Sequence, residues 1–129
     1  MRRSSRSVLL LAGLLVAARA PAHHSVAAEY DVDKPVSING TIKRVEWQNP
    51  HIWYYLDVKG NDGTVSEWGV SGGAPGQLMR RGITKDVLQL GSVVSVQGLM
   101  ARDGSKNIAG QKVTFADGRN VFTAGPEPR

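Results

Sequence analysis

Val36-Ser-Ile-Asn-Gly-Thr-Ile-Lys-Arg-Val-Glu-Trp47 is the stretch whose reading decides the fold. Val36, Ile38 and Ile42 fall on alternate positions across Gly40, the period of a strand that buries one face. Beyond Ile42 the phase slips by one residue, and Val45 and Trp47 carry the apolar face onward. One extra residue near Lys43-Arg44 accounts for the slip, so a bulge or a sharp coil is expected there.

Asn49-Pro50 then signals a turn. After it Ile52, Tyr54, Leu56 and Val58 mark one face of a second strand, and His51, Trp53, Tyr55 and Asp57 mark the other. Lys59-Gly-Asn-Asp-Gly63 reads as a hairpin loop. In a third strand Ser66, Trp68 and Val70 share a face, with Glu67 opposite. Gly72-Gly73 ends it, and Pro75 opens a short helix that stops at Gly82, with Leu78 and Met79 as its expected anchors. A fourth strand is expected over 90–100 and a fifth around Val113 and Phe115, separated by a turn at Asp103-Gly104.

Three strands, a short helix and two more strands give an all-β chain in the element order of the five-stranded oligonucleotide/oligosaccharide-binding (OB) barrel, expected over 36–123. An open β-sandwich or another small barrel with the same meander stays open as the rival. Fold alone does not supply function.

Outside that core the chain changes character. Residues 1–22 combine a basic start at Arg2, Arg3 and Arg6, an apolar run over 8–18 and the small-residue triplet Ala20-Pro21-Ala22, the three parts of a secretory signal. The run is well short of the ~20 residues a membrane span needs, so the expectation is an exported, periplasmic or secreted protein without a membrane span, cut near Ala22. Residues 23–35 read as an extended N-terminal arm, and 124–129, with two prolines, as a disordered tail.

Charge and composition remove whole classes of function. The formal charge is +5, but with Arg2, Arg3, Arg6 and Arg19 set aside, 12 basic residues face the chain's 11 acidic ones. A nearly neutral domain lacks the electrostatic footprint that phosphate backbones require, so nucleic acid is not expected as a partner. The absence of cysteine excludes disulfides, thiolate metal sites and cysteine nucleophiles. Ser25, Ser66 and Ser71 lack a nucleophile-elbow context, and no catalytic constellation is found.

His23-His24-Ser25 followed by Glu29-Tyr30-Asp31, the run from Gly40-Thr41 through Val45-Glu46-Trp47 to Asn49-Pro50-His51, and Arg80-Arg81-Gly82 with Thr84-Lys85-Asp86 resemble the small exported bacterial proteins grouped as domain of unknown function 6152. The resemblance covers nearly all of the chain after the leader. It implies export and a single domain, and transfers no catalytic residue.

Two constellations carry candidate chemistry. Cleavage after Ala22 would leave His23 at the N-terminus, where the α-amine and the imidazole chelate one metal ion together, with His24 or His51 adding a further nitrogen. Tetragonal nitrogen ligation favours Cu(II). The imidazole titrates near ~6.5 and the amine near ~8, so both lose their protons to a metal readily at neutral pH. Cleavage after Ala20 would instead put His23 third, another amine-amide-imidazole chelate. Met79 and Met100 suit Cu(I) by chemistry, but their apolar flanks point to core packing.

The second constellation is aromatic. Trp47, Trp53, Tyr54, Tyr55 and Trp68 lie on the first three strands, and alternation sends Tyr54 and Trp68 inward, leaving Trp53 and Tyr55 outward beside Glu67. Rings on the ligand face of an OB-like barrel stack on bases, sugars or planar molecules. The expectation is therefore a small exported binding or accessory protein, not an enzyme, that binds Cu(II) through His23, His24 and His51. The alternative is a metal-free module that recognises a small molecule or a periplasmic protein through Trp53, Tyr55 and Glu67.

Overall fold

A computed structural model describes residues 26–124; residues 1–25, with the expected leader, His23 and His24, and residues 125–129 of the expected tail lie outside them. A helical turn α1 (Val26–Glu29) leads into β1 (Tyr30–Glu46), β2 (Trp53–Lys59) and β3 (Val65–Ser71). The helix α2 (Pro75–Arg80) and a 3-10 turn (Lys85–Val87) follow, then β4 (Val93–Ala101), β5 (Asn107–Phe115) and β6 (Asn120–Phe122). The fold is all-β, a mostly antiparallel sheet with short helices, as the alternation predicts. No helix of the described residues is long and apolar enough to cross a membrane.

The strands pair in the order β3-β2-β1-β4-β5-β6, and β3 also pairs with β5 in parallel through Gly69, Val70 and Ser71 against Asn107, Ile108 and Ala109. That extra ladder links the two ends of the five-strand run. β1 serves two partners because it is long: its first part pairs with β4 and its last six residues with β2. The register between β1 and β2 shifts between Ile42 and Arg44, at the expected bulge.

Inside, Tyr54 and Leu56 of β2 pack with Val70, Val96, Ile108 and Val113 from the neighbouring strands, all fully buried. Leu78 of α2 joins this cluster, so the helix closes one end of it. Pro75 at the first helical turn has no N–H to leave unsatisfied, and the backbone N–H groups of Arg81, Gly82 and Ile83 finish the helix on Leu78 and Met79 carbonyls.

Four features differ from the sequence reading. β1 starts at Tyr30, inside the segment expected to be an arm, because Tyr30 pairs with Ala101 and is only 6% exposed. The ladder is irregular between it and Pro35, where three of the four residues are charged and Val32 is exposed, and this hides the strand period. Met79 is 57% exposed and is not an anchor of α2; Leu78 alone of the pair points inward. Leu90 is 66% exposed and precedes β4, since Gly91 turns the chain and donates its N–H to the Ile42 carbonyl at 2.7 Å. β6 was not expected: at three residues it is too short to show a period, and it is specified by pairing with Lys112–Thr114 of β5.

Candidate functional site

The bulge in β1 determines the charge pattern of the outer face. Ile42 points inward, and the inserted residue lets Lys43 and Arg44, adjacent in sequence, both reach the outer surface. There they meet a conflict in the next two strands, where Asp57 of β2 sits directly opposite Glu67 of β3. Like charges across a ladder repel. Lys43 Nζ bridges them, 3.2 Å from Asp57 Oδ1 and 3.4 Å from Glu67 Oε2, and hydrogen bonding to Asp57 and then to Glu67 raises its pKa above the ordinary lysine value. Arg44 reaches Glu67 at 3.5 Å and also pairs with Glu46.

Arg44 has a second role. Its guanidinium carbon lies 3.6 Å from the centroid of the Tyr55 ring, a cation–π contact, and the Tyr55 hydroxyl donates to Glu46 Oε2 at 3.3 Å. Trp53 stacks beside Tyr55 with centroids 6.3 Å apart and planes 21° from parallel. The expected trio of Trp53, Tyr55 and Glu67 is thus on one face but divided in use. Tyr55 and Glu67 are occupied by the Lys43–Arg44 network, whereas Trp53 opens onto a groove.

That groove encloses about 330 Å³ between α1, Trp53 and the loop joining β4 to β5, with Tyr30, Arg102, Asp103, Ser105 and Asn107 among its walls. Trp53 lies over β3 at Gly69, where a Cβ would come within 3.4 Å of the indole and would overlap the Asn107 side-chain oxygen. The bare glycine backbone is what lets both side chains settle there. Tyr30 forms the floor. Its hydroxyl accepts a hydrogen bond from Ser71 Oγ at 3.1 Å, and burial, reinforced by the charges of Glu29 and Asp103, raises its pKa against the opposing effect of Ser71.

The loop wall is held by its own turn. Asp103 Oδ1 accepts the Ser105 N–H at 2.9 Å, hydrogen bonding to the Ser105 side chain and then to its N–H holds the Asp103 carboxyl below the ordinary range, and Asn107 donates to Ser105 Oγ at 2.9 Å. Arg102 ties the wall to α1: its N–H donates to the Glu29 carbonyl and its Nε to the Ala27 carbonyl, both at 2.9 Å.

A second, larger groove of about 500 Å³ runs between the β1 bulge and the segment after α2, lined by Lys43, Arg44, Lys85, Asp86, Leu88 and Leu90 among others. No aromatic ring faces it, and its two β1 cations are already paired with Asp57, Glu46 and Glu67. The Trp53 groove is the better candidate despite its smaller size.

Of the three histidines, only His51 is among the described residues. It is exposed in the connection between β1 and β2, just after the cis Asn49–Pro50 bond, and His23 and His24 lie outside the described residues. Among the described residues no three His, Cys, Asp or Glu side chains gather into a group that could hold a metal. Tyr30, Arg102 and Asn107 were not singled out as site residues from the sequence. Tyr30 carried one available signal, as the lone aromatic in a polar stretch.

No curated protein matches the chain, and no solved structure matches it. A family model described as a family of unknown function, domain of unknown function 6152, matches residues 12–111, ending within β5. The match spans most of the chain and agrees with the motifs that suggested the same relationship, so the chain belongs to the domain of unknown function 6152 family.

Proposed function

We propose that this chain is an exported binding module, an OB-like barrel that holds a small organic molecule against Trp53. The observation that carries the reading is the position of the groove. It lies where the β2–β3 face meets the β4–β5 loop, the region at which OB barrels take ligands, and Trp53 supplies a flat apolar wall there. The ladder from β3 to β5 supports closure of the sheet into such a barrel. A groove of about 330 Å³ is within the range of small-molecule sites, roughly 300–1,000 Å³. Export rests on the leader-like residues 1–22.

The test is an NMR titration of the labelled protein with a fragment set of planar aromatics, simple sugars and organic ammonium ions. Hits are expected to shift the Trp53 indole N–H together with Ser105 and Asn107. Trp53→Ala is expected to weaken them at least about tenfold, near 1.4 kcal/mol, with an unchanged circular dichroism spectrum. Hits of equal strength in wild type and Trp53→Ala would overturn the reading, as would a set that moves no groove residue.

The copper chemistry of His23, His24 and His51 is a second proposal. It draws support from the exposure of His51 in the connection just before β2, two residues from Trp53, and from Ala28 and Glu29, which bring the start of the described chain to the groove that Trp53 lines. Native mass spectrometry of the exported protein with one equivalent of Cu(II) and a competing chelator is the check. His51→Ala is expected to lower Cu(II) affinity by about tenfold or more, and Trp53→Ala to leave it unchanged. Equal retention of copper by His51→Ala and wild type would remove His51 from the site.

A further inference from the structure

The charge balance inside the Trp53 groove narrows the ligand class, and we infer that the groove takes an organic ammonium ion, its cationic nitrogen held over the Trp53 face between Glu29 and Asp103. This inference rests on the proposed binding role of that groove and adds the sign of the charge. The groove walls carry three full charges, Glu29, Arg102 and Asp103. Arg102 is already committed: its Nε is bonded to the Ala27 carbonyl and its Nη1 lies 4.0 Å from Asp31. Lys34 also turns to Asp31, at 3.6 Å, and Lys106 in the neighbouring loop acts on Asp62 and does not line the groove.

Glu29 and Asp103, by contrast, form no ion pair among the described residues. Asp103 is hydrogen-bonded within its own turn, to the side chain and N–H of Ser105, and Glu29 makes no side-chain hydrogen bond among the described residues. Both carboxylates line the same groove as Tyr30 and Trp53. Among the described residues, the groove charge left without an ion-pair partner is therefore negative, and it lies in the same groove as the indole.

An indole face and two carboxylates attract the same kind of guest. The ring quadrupole favours a cation over its face, more strongly when water is partly excluded, and tryptophan is the best of the aromatic residues at it. The neighbouring ring shows the same physics within the protein, since Tyr55 already carries the Arg44 guanidinium at 3.6 Å. Trp53 has the groove on its open side instead. A neutral planar guest would gain the stacking but leave both carboxylates without a partner, and an anionic guest would be repelled.

The probe is choline, compared with its uncharged carbon isostere dimethylbutanol and with phenol as a neutral planar control, each titrated into the full chain at low salt and followed by the Trp53 indole resonance. Choline is expected to give a saturable shift and to bind about tenfold more tightly than dimethylbutanol, the scale of a partly desolvated cation–π contact. Glu29→Gln and Asp103→Asn are each expected to reduce choline affinity by about threefold or more while leaving phenol binding unchanged. Equal affinity for choline and dimethylbutanol would overturn the ammonium inference, and so would a shift from phenol alone, both leaving the binding module intact. Indifference of the Trp53 resonance to all three probes would overturn the inference and count against the binding reading as well.

Discussion

A valine at Gly98 is expected to destabilise the protein by more than about 3 kcal/mol, enough to remove a large part of the roughly 5–15 kcal/mol available to a domain. Gly98 of β4 faces Gly110 of β5, at the point where the register between these strands shifts. A Cβ on Gly98 would overlap the carbonyl oxygen of Ala109 and come within 3.3 Å of the Gly110 Cα. These are backbone atoms of a paired strand, and they cannot swing aside as a side-chain tip would. The ladder would have to open, and Ala109 also anchors the parallel pairing with Ser71 of β3. Urea unfolding of Gly98→Val beside Gln97→Val is the measurement. Gln97 is the exposed neighbour on the same strand, and valine there is expected to change stability by no more than about 0.5 kcal/mol. Similar midpoints for the two variants would show that the strands do not approach so closely at Gly98.

Whether a feature could be read in the sequence depended on whether one segment held the whole signal. The bulge at Lys43 was legible because the apolar phase of β1 changes on its two sides, and the faces of β2 were legible because Ile52, Tyr54, Leu56 and Val58 alternate without interruption. The helix showed itself through Pro75 and Gly82 at its ends. The β3–β5 ladder joins segments some 38 residues apart, Gly69–Ser71 and Asn107–Ala109, and neither marks the other in sequence. Tyr30 stayed hidden because Val32, Asp33 and Lys34 after it are exposed and Asp31 is a half-buried carboxylate, so full burial there is confined to a single position. The groove was illegible for the same reason. It is assembled from α1, β2, the end of β4 and the loop after it, and the solitary fact visible in one segment was that Trp53 alternates away from the core. Sequence could also not show that Arg44 would cover Tyr55, since that contact depends on the extra residue in β1 turning two consecutive cations outward.

Removing one hydroxyl from the core should reveal how the end of the chain is fastened. Tyr54 is fully buried and its hydroxyl lies 3.2 Å from Oγ1 of Thr123, the one polar residue fully buried among those described. The Thr123 backbone completes the seam: its carbonyl accepts the Gly73 N–H at 2.6 Å, and its N–H donates to the Gln111 carbonyl at 3.2 Å. Tyr54→Phe leaves the threonine hydroxyl dry and without that partner, which is expected to cost about 1–3 kcal/mol, and Tyr54→Ala adds a cavity for a total of about 3–5 kcal/mol. Replacing both polar partners, Tyr54→Phe with Thr123→Val, should cost less than the sum of the single changes, because neither hydroxyl then remains unsatisfied. The alkaline limb provides an independent readout. Burial pushes the Tyr54 phenol well above its ordinary value of 10.0, with the Thr123 bond opposing in part. The neutral form is thus held in the folded state while the unfolded chain ionises near that ordinary value. Its contribution is intact below pH 10 and is lost as pH rises beyond it, by up to about 1.4 kcal/mol per pH unit. Tyr30 is raised as well, so Tyr54→Phe should retain part of the alkaline slope and lose the share of one group. Identical slopes in Tyr54→Phe and wild type, measured by urea unfolding above pH 10, would mean that Tyr54 ionises as freely in the folded protein as in the unfolded chain, and would overturn its placement in the core.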